Sequence, residues 1–121
     1  MSQFRHIVDS AIANNQNALD LRCNNLEELL GELSRYNDFT SRASYVWQRG
    51  RGLYRIDMPY LVTPNTATFE SALAHIQRSN HFGLYLFDGI VDEFKVVSTW
   101  ASLRKFVADR SANRKVLLFS G

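Results

Sequence analysis

Two short apolar runs constrain this chain most: Phe82-Gly-Leu-Tyr-Leu-Phe87, and Val116-Leu-Leu-Phe119 directly after Lys115. Runs of that length without polar alternation suit buried strands rather than half-exposed ones. Segments with helical periodicity lie before and between them. The connections around three of these helices exceed the dozen or so residues that a parallel crossover requires. The economical fold is therefore a single small α/β domain over residues 1–121, with a mixed sheet of about five strands and about four helices.

Element by element, Phe4, Ile7, Val8, Ala11 and Ile12 recur at the spacing of one helix face. Asn14 to Asn17 break that pattern, and Ala18-Leu-Asp-Leu-Arg-Cys23 alternates as a short strand. Leu26, Leu29, Leu30 and Leu33 predict a second helix over 26–36, with Asn24 or Asn25 as cap and Glu27 and Glu28 in its first turn. Asn37-Asp38 then opens a loop. Ser44-Tyr-Val-Trp-Gln48 has strand composition, and Arg49-Gly-Arg-Gly52 reads as a turn or a flexible tip. Leu53-Tyr-Arg-Ile leads to a further strand at Met58-Pro-Tyr-Leu-Val62, where Pro59 marks a strand start or an edge. A third helix is expected over 66–79, with Phe69, Ala72, Leu73 and Ile76 inward and a threonine or Asn65 as cap. Asp88-Gly89 is a turn signal, and Glu93-Phe-Lys-Val-Val97 reads as another strand. Ser98 or Thr99 would cap a fourth helix with Trp100, Leu103, Phe106 and Val107 inward. Leu30, Leu61, Leu73, Leu84, Phe106 and Leu117 are the expected core.

Composition is that of an ordinary globular domain, 45% hydrophobic and 21% charged, which excludes disorder and low complexity. Fourteen basic residues against twelve acidic ones leave a net charge of +2, too mild to indicate nucleic acid by itself. A single cysteine, Cys23, excludes an internal disulfide framework and points to a cytoplasmic compartment. The first residues carry no apolar leader-type run. No apolar run approaches the roughly 18 residues of a membrane span.

Sites for chemistry are weak. Cys23 ends a strand just before a helix, where a thiol pKa can fall, and His6, His75 or His81 could serve as a base. Yet no Cys–His spacing signature and no nucleophile elbow is present. The three histidines lack the spacing of a helical zinc site, and Gly50-Arg51-Gly52 lacks the context of a phosphate loop. Asp88, Asp92 and Glu93 could pair for acid–base work but flank a turn that favours solvent. No catalytic, cofactor-binding or metal-binding residue is expected.

The stretch Phe39–Ile56 stands out. It holds Arg42, Arg49, Arg51 and Arg55 with no acid, and Tyr45, Trp47 and Tyr54 are interleaved. Three readings stay open: a hairpin with aromatics in the core and arginines in water, a protein-binding surface, or a single-stranded nucleic-acid platform. Trp47, Arg49, Arg51, Tyr54 and Arg55 are the candidate partner-binding residues, with an exposed Trp47 or Tyr54 as apolar anchor.

Met58-Pro59-Tyr60-Leu61-Val62, preceded by the aromatic strand Tyr45-Val46-Trp47, resembles the Pro-Tyr-Leu-Val core of the bacterial type VI secretion effector-adaptor (effector chaperone) family. Phe94-Lys-Val-Val-Ser98 with Leu103-Arg104 through Val107 looks like the family's Ser-capped helix segment. Lys115-Val-Leu-Leu-Phe119 looks like its closing strand. The resemblance runs from about residue 17 to residue 119, so the chain resembles either a minimal form of the family or its first lobe. Arg22-Cys23 departs from the acidic-then-small residues usual after the first strand. The chain also stops at Gly121, before the Asp-Pro-Arg-type segment and helical second lobe of other members. The resemblance implies a non-enzymatic cytoplasmic adaptor that binds an effector protein and helps load it onto a VgrG-type spike, with no cofactor. A small immunity-type inhibitor of a toxin is the alternative, and net +2 weakens it only against basic toxins. A small enzyme using Cys23 or the Asp88, Asp92 and Glu93 cluster is the third reading. Membrane and nucleic acid are not the expected partners.

Overall fold

The computed structural model describes residues 2–14, 16–21, 26–40, 43–79, 82–88, 97–108 and 115–119. The element order is α1 (Ser2–Ala13), β1 (Ala18–Asp20), α2 (Leu26–Thr40), β2 (Ser44–Gln48), β3 (Gly52–Arg55), α3 (Phe69–Arg78), β4 (Gly83–Asp88), α4 (Val97–Ala108) and β5 (Lys115–Phe119). The strands form one sheet in the order β1-β5-β4-β2-β3. Pairing is parallel between β1 and β5, β5 and β4, and β4 and β2, and antiparallel in the β2–β3 hairpin. The expected mixed five-stranded α/β fold with four helices is the observed one.

Side chains alternate across a strand, and here both faces are covered. Val46, Tyr54, Leu84, Leu86, Val116 and Leu118 pack with Phe4 and Val8 of α1 and Leu29, Leu33 and Tyr36 of α2. Trp47, Leu53, Tyr85, Phe87, Leu117 and Phe119 pack with Phe69, Leu73 and Ile76 of α3 and Leu103 and Phe106 of α4. The apolar runs of β4 and β5 follow from this sandwich, because a strand with helices on both faces has no solvent side to make polar.

The helices are held by local chemistry as well as packing. Thr68 caps α3: its hydroxyl accepts from the Ser71 N–H at 3.1 Å, and the Ser71 hydroxyl accepts from the Thr68 N–H at 3.2 Å. Two otherwise unpaired donors are thereby satisfied. Asn17 donates to the carbonyls of Phe106 and Val107 at the end of α4. The ammonium of buried Lys115 donates to Gln77 O near the end of α3, where the helix dipole favours a cation.

Several expectations need correction. Helix α2 does not stop before Asn37 but runs to Thr40. Asn37 is buried, and its side-chain oxygen accepts the backbone N–H of Ser44 at 3.0 Å. A residue that reads as a loop opener therefore tethers the helix to β2. The strand expected at Met58–Val62 reduces to one antiparallel bridge, Val62 opposite Tyr54. Turn bonds from Met58 N to Arg55 O and from Leu61 N to Met58 O bend the chain there, and Pro59 has no N–H for a ladder. Leu61 is consequently 57% exposed rather than core. Leu30 is only half-buried, and Val107 is exposed. Leu73, Leu84, Phe106 and Leu117 are buried as expected. Ser98 and Thr99 lie inside α4, which begins at Val97. Of the strand expected at Glu93–Val97, Val97 is helical and opens α4, while residues 93–96 lie outside the described residues, as do the Asn24 and Asn25 caps and the side chain of Trp100.

Candidate protein-binding surface

The site grows from the β2–β3 turn. Gly50 and Gly52 adopt positive φ of 79° and 106°, and Arg51 N donates to Gln48 O at 3.1 Å. Gly52 has a second reason to be glycine. A Cβ there would lie 2.8 Å from Thr66 Oγ1 and 3.1 Å from Val62 Cγ1. The segment 58–66 passes over the hairpin at this point and straps the outer edge of β3.

Thr66 bolts the strap down. Its hydroxyl accepts the Leu53 N–H at 2.9 Å and donates to Thr63 O at 2.7 Å. Its carbonyl accepts the indole N–H of Trp47 at 2.8 Å. Thr63 N donates to Leu53 O at 2.8 Å. The outward N–H and C=O of Leu53 are thus both satisfied, which blunts an edge strand that would otherwise invite pairing. Above these bonds the strap leaves Tyr60 at 78% exposure, with Leu61 and Val62 also exposed.

The five candidate residues separate. Trp47 is fully buried against Phe69 and Phe87 on the α3/α4 face, at ring distances of 6.3 and 5.5 Å. Tyr54 is buried on the opposite face, under the Arg51 guanidinium. Neither can be the exposed anchor the sequence suggested. Both sheet faces are covered by helices, so hairpin aromatics have only the core to enter. Arg55 is half-buried, and its Nε lies 2.8 Å from Asp57 Oδ1 in an ion pair. That carboxylate lies two residues beyond Arg55. Arg49 and Arg51 remain exposed.

Arg51 is held in place. Its Nη1 donates to Gln48 Oε1 at 3.2 Å, and its Nη2 donates to Pro59 O. Its guanidinium carbon sits 4.0 Å from the centre of the Tyr54 ring, a cation–π arrangement. Burial pushes the Tyr54 phenol above its ordinary value. The Arg51 charge pulls against that shift, and Asp88 at the end of β4 adds to it. The exposed apolar residues on this edge are instead Tyr60, Leu61 and Val62. The sequence signal for them was Pro59, which marks an edge where apolar residues need not turn inward.

The residues weighed for catalysis are not gathered. His6 lies on α1 and His75 on α3, helices on opposite faces of the sheet. Cys23, His81, Asp92 and Glu93 lie outside the described residues. Among the described residues, no group of three or more His, Cys, Asp or Glu could hold a metal ion. No helix among them is long and apolar enough to cross a membrane. An open groove of about 410 Å³ lies between α1 and the end of α2, lined by Arg5, Asp9, Ile12, Ala13, Phe39 and Thr40. Its Arg5 and Asp9 pair with each other at 3.7 Å.

Comparison with protein-family models, with curated proteins and with solved structures gives no match. The fold and the site define a three-layer α/β domain with an apolar, arginine-flanked strap on one sheet edge.

Proposed function

We propose that this chain is a protein-binding module whose contact surface is the strap over β3. The observation that carries the reading is the exposed run Tyr60-Leu61-Val62 beside the anchored Arg51. Aromatic and arginine side chains are the types that dominate interface energetics. A rigidly bolted segment also loses little entropy on binding. The finer reading is an adaptor that binds a type VI secretion effector in the cytoplasm for loading onto a VgrG-type spike. It rests on the resemblance carried by Pro59-Tyr60-Leu61-Val62, the same residues that form the strap.

The test is co-expression of the tagged chain with effector and spike proteins encoded beside its gene, followed by size-exclusion chromatography. A stoichiometric complex with an effector, lost on Leu61→Asp while the circular dichroism spectrum is unchanged, is the expected result. Absence of any complex with either neighbour overturns the adaptor reading. Neutralisation of a neighbouring toxin's activity would establish the inhibitor instead.

A further inference from the structure

We propose that Arg51 and the exposed Tyr60–Leu61 segment receive a short acidic stretch of the partner protein, with an Asp or Glu carboxylate on the guanidinium and an apolar neighbour against Tyr60 and Leu61. This rests on the protein-binding reading above and names the chemistry that the surface takes.

The state of Arg51 motivates it. Arginine carries five N–H donors in a planar fork. Here one is bonded to Gln48 Oε1 and one to Pro59 O, and one flat side covers the Tyr54 ring. All of these contacts are to neutral groups. Arg5, Arg35 and Arg55 instead pair with Asp9, Glu32 and Asp57. Arg51 is therefore an exposed, full positive charge whose orientation is already set, with donors left over. A fixed fork suits a carboxylate, which accepts two parallel N–H bonds. Ordering the side chain in advance removes much of the entropy cost of that contact.

The apolar half follows from adjacency. The carbonyl that holds Arg51 belongs to Pro59, the residue next to Tyr60. The cation and the exposed aromatic are thus presented together. A second copy of this chain fits poorly, because a two-fold contact on this surface would bring Arg51 near its own equivalent. Nucleic acid also fits poorly. Its affinity comes from several neutralised phosphates, and the Arg55 charge is already paired with Asp57.

The probe is a displayed random-peptide library selected on the immobilised full chain. Enriched peptides are then measured by fluorescence anisotropy beside twins in which the acid is replaced by its amide. The expected result is enrichment of Asp or Glu next to Leu, Ile, Phe or Tyr, with the amide twin binding about tenfold more weakly. On Arg51→Gln the two twins should bind equally. Arg51→Lys keeps the charge but not the fork and should recover only part of the preference. It also serves if Arg51→Gln fails to fold. Leu61→Ser should weaken both twins alike. Enrichment without an acid, equal binding of the twins to the unaltered chain, or no enrichment overturns the proposal. So does displacement of the peptides by a single-stranded oligonucleotide that itself requires Arg51. An effector complex that survives Arg51→Gln, with no acidic preference in the peptides, sinks this inference and leaves the adaptor standing. Acidic peptides bound through Arg51 without any effector complex do the reverse.

Discussion

The Thr66 hydroxyl accepts the backbone N–H of Leu53 at 2.9 Å, across thirteen residues of chain. This bond joins the strap to the edge of the sheet. Both groups are buried, so the N–H has no solvent to turn to. Thr66→Val keeps the shape and removes the acceptor. It should cost about 1–3 kcal/mol, read as a lower urea midpoint with an unchanged slope. A loss below about 0.5 kcal/mol, the range of ordinary surface changes, would show that the strap is not held by this bond.

The two turn glycines should differ. At Gly50 an added Cβ meets nothing within 4 Å, so Gly50→Ala carries only the cost of the positive φ of 79°, about 1–2 kcal/mol. At Gly52 the same methyl meets Thr66 Oγ1 at 2.8 Å. Gly52→Ala should be the more destabilising in parallel thermal melts and should also disturb Trp47 fluorescence through Thr66. Equal effects would mean that the strap yields freely.

Leu73 and Leu61 are 2% and 57% exposed. Leu73→Ala should cost about 2–5 kcal/mol, while Leu61→Ala should stay within about 0.5 kcal/mol. Chemical denaturation of both variants decides whether Leu61 belongs to a surface or to the core.

Tyr85 stacks on Tyr45 with ring centres 5.0 Å apart. Burial, helped by Tyr45 and opposed by a hydrogen bond with Ser79, pushes its phenol up to about 12. The native state therefore keeps a proton that the unfolded chain gives up near pH 10. Its stabilising contribution is whole below about pH 10 and is lost as pH rises toward about 12. The loss should amount to about 2–3 kcal/mol, with Tyr54 shifting in the same direction. Urea titrations through that window should show the fall, and Tyr85→Phe should shrink it. A flat profile contradicts a buried, neutral Tyr85.

Much of the fold was legible along the chain, because local chemistry and periodicity specify it. The strands Ser44–Gln48 and Lys115–Phe119 fall where their runs predicted, a strand starts at Ala18 as expected, and a threonine caps α3 as expected, though at Thr68, so the helix starts at Phe69 and not at residue 66. The candidate surface was legible only in part. Arg49 and Arg51 at the hairpin turn were readable from Gly50 and Gly52. Which aromatic is exposed was not, since Trp47 and Tyr54 carry the same composition signal whether they face solvent or core.

The sequence by itself determined the four helices, the strands that make up the sheet and the need for that sheet to be covered, because these depend on periodicity and on residues close in the chain. Tertiary structure alone decided which residues meet the solvent. Helices on both faces bury Trp47 and Tyr54. Asn37 stays in the helix and accepts the Ser44 N–H, and Arg55 is ion-paired with Asp57 just past the arginine stretch. The strap bends at Pro59 and is held by Leu53, Trp47 and Thr66, bonds that span up to 19 residues. Such pairings depend on where the folded chain brings its segments together, and no local window contains them.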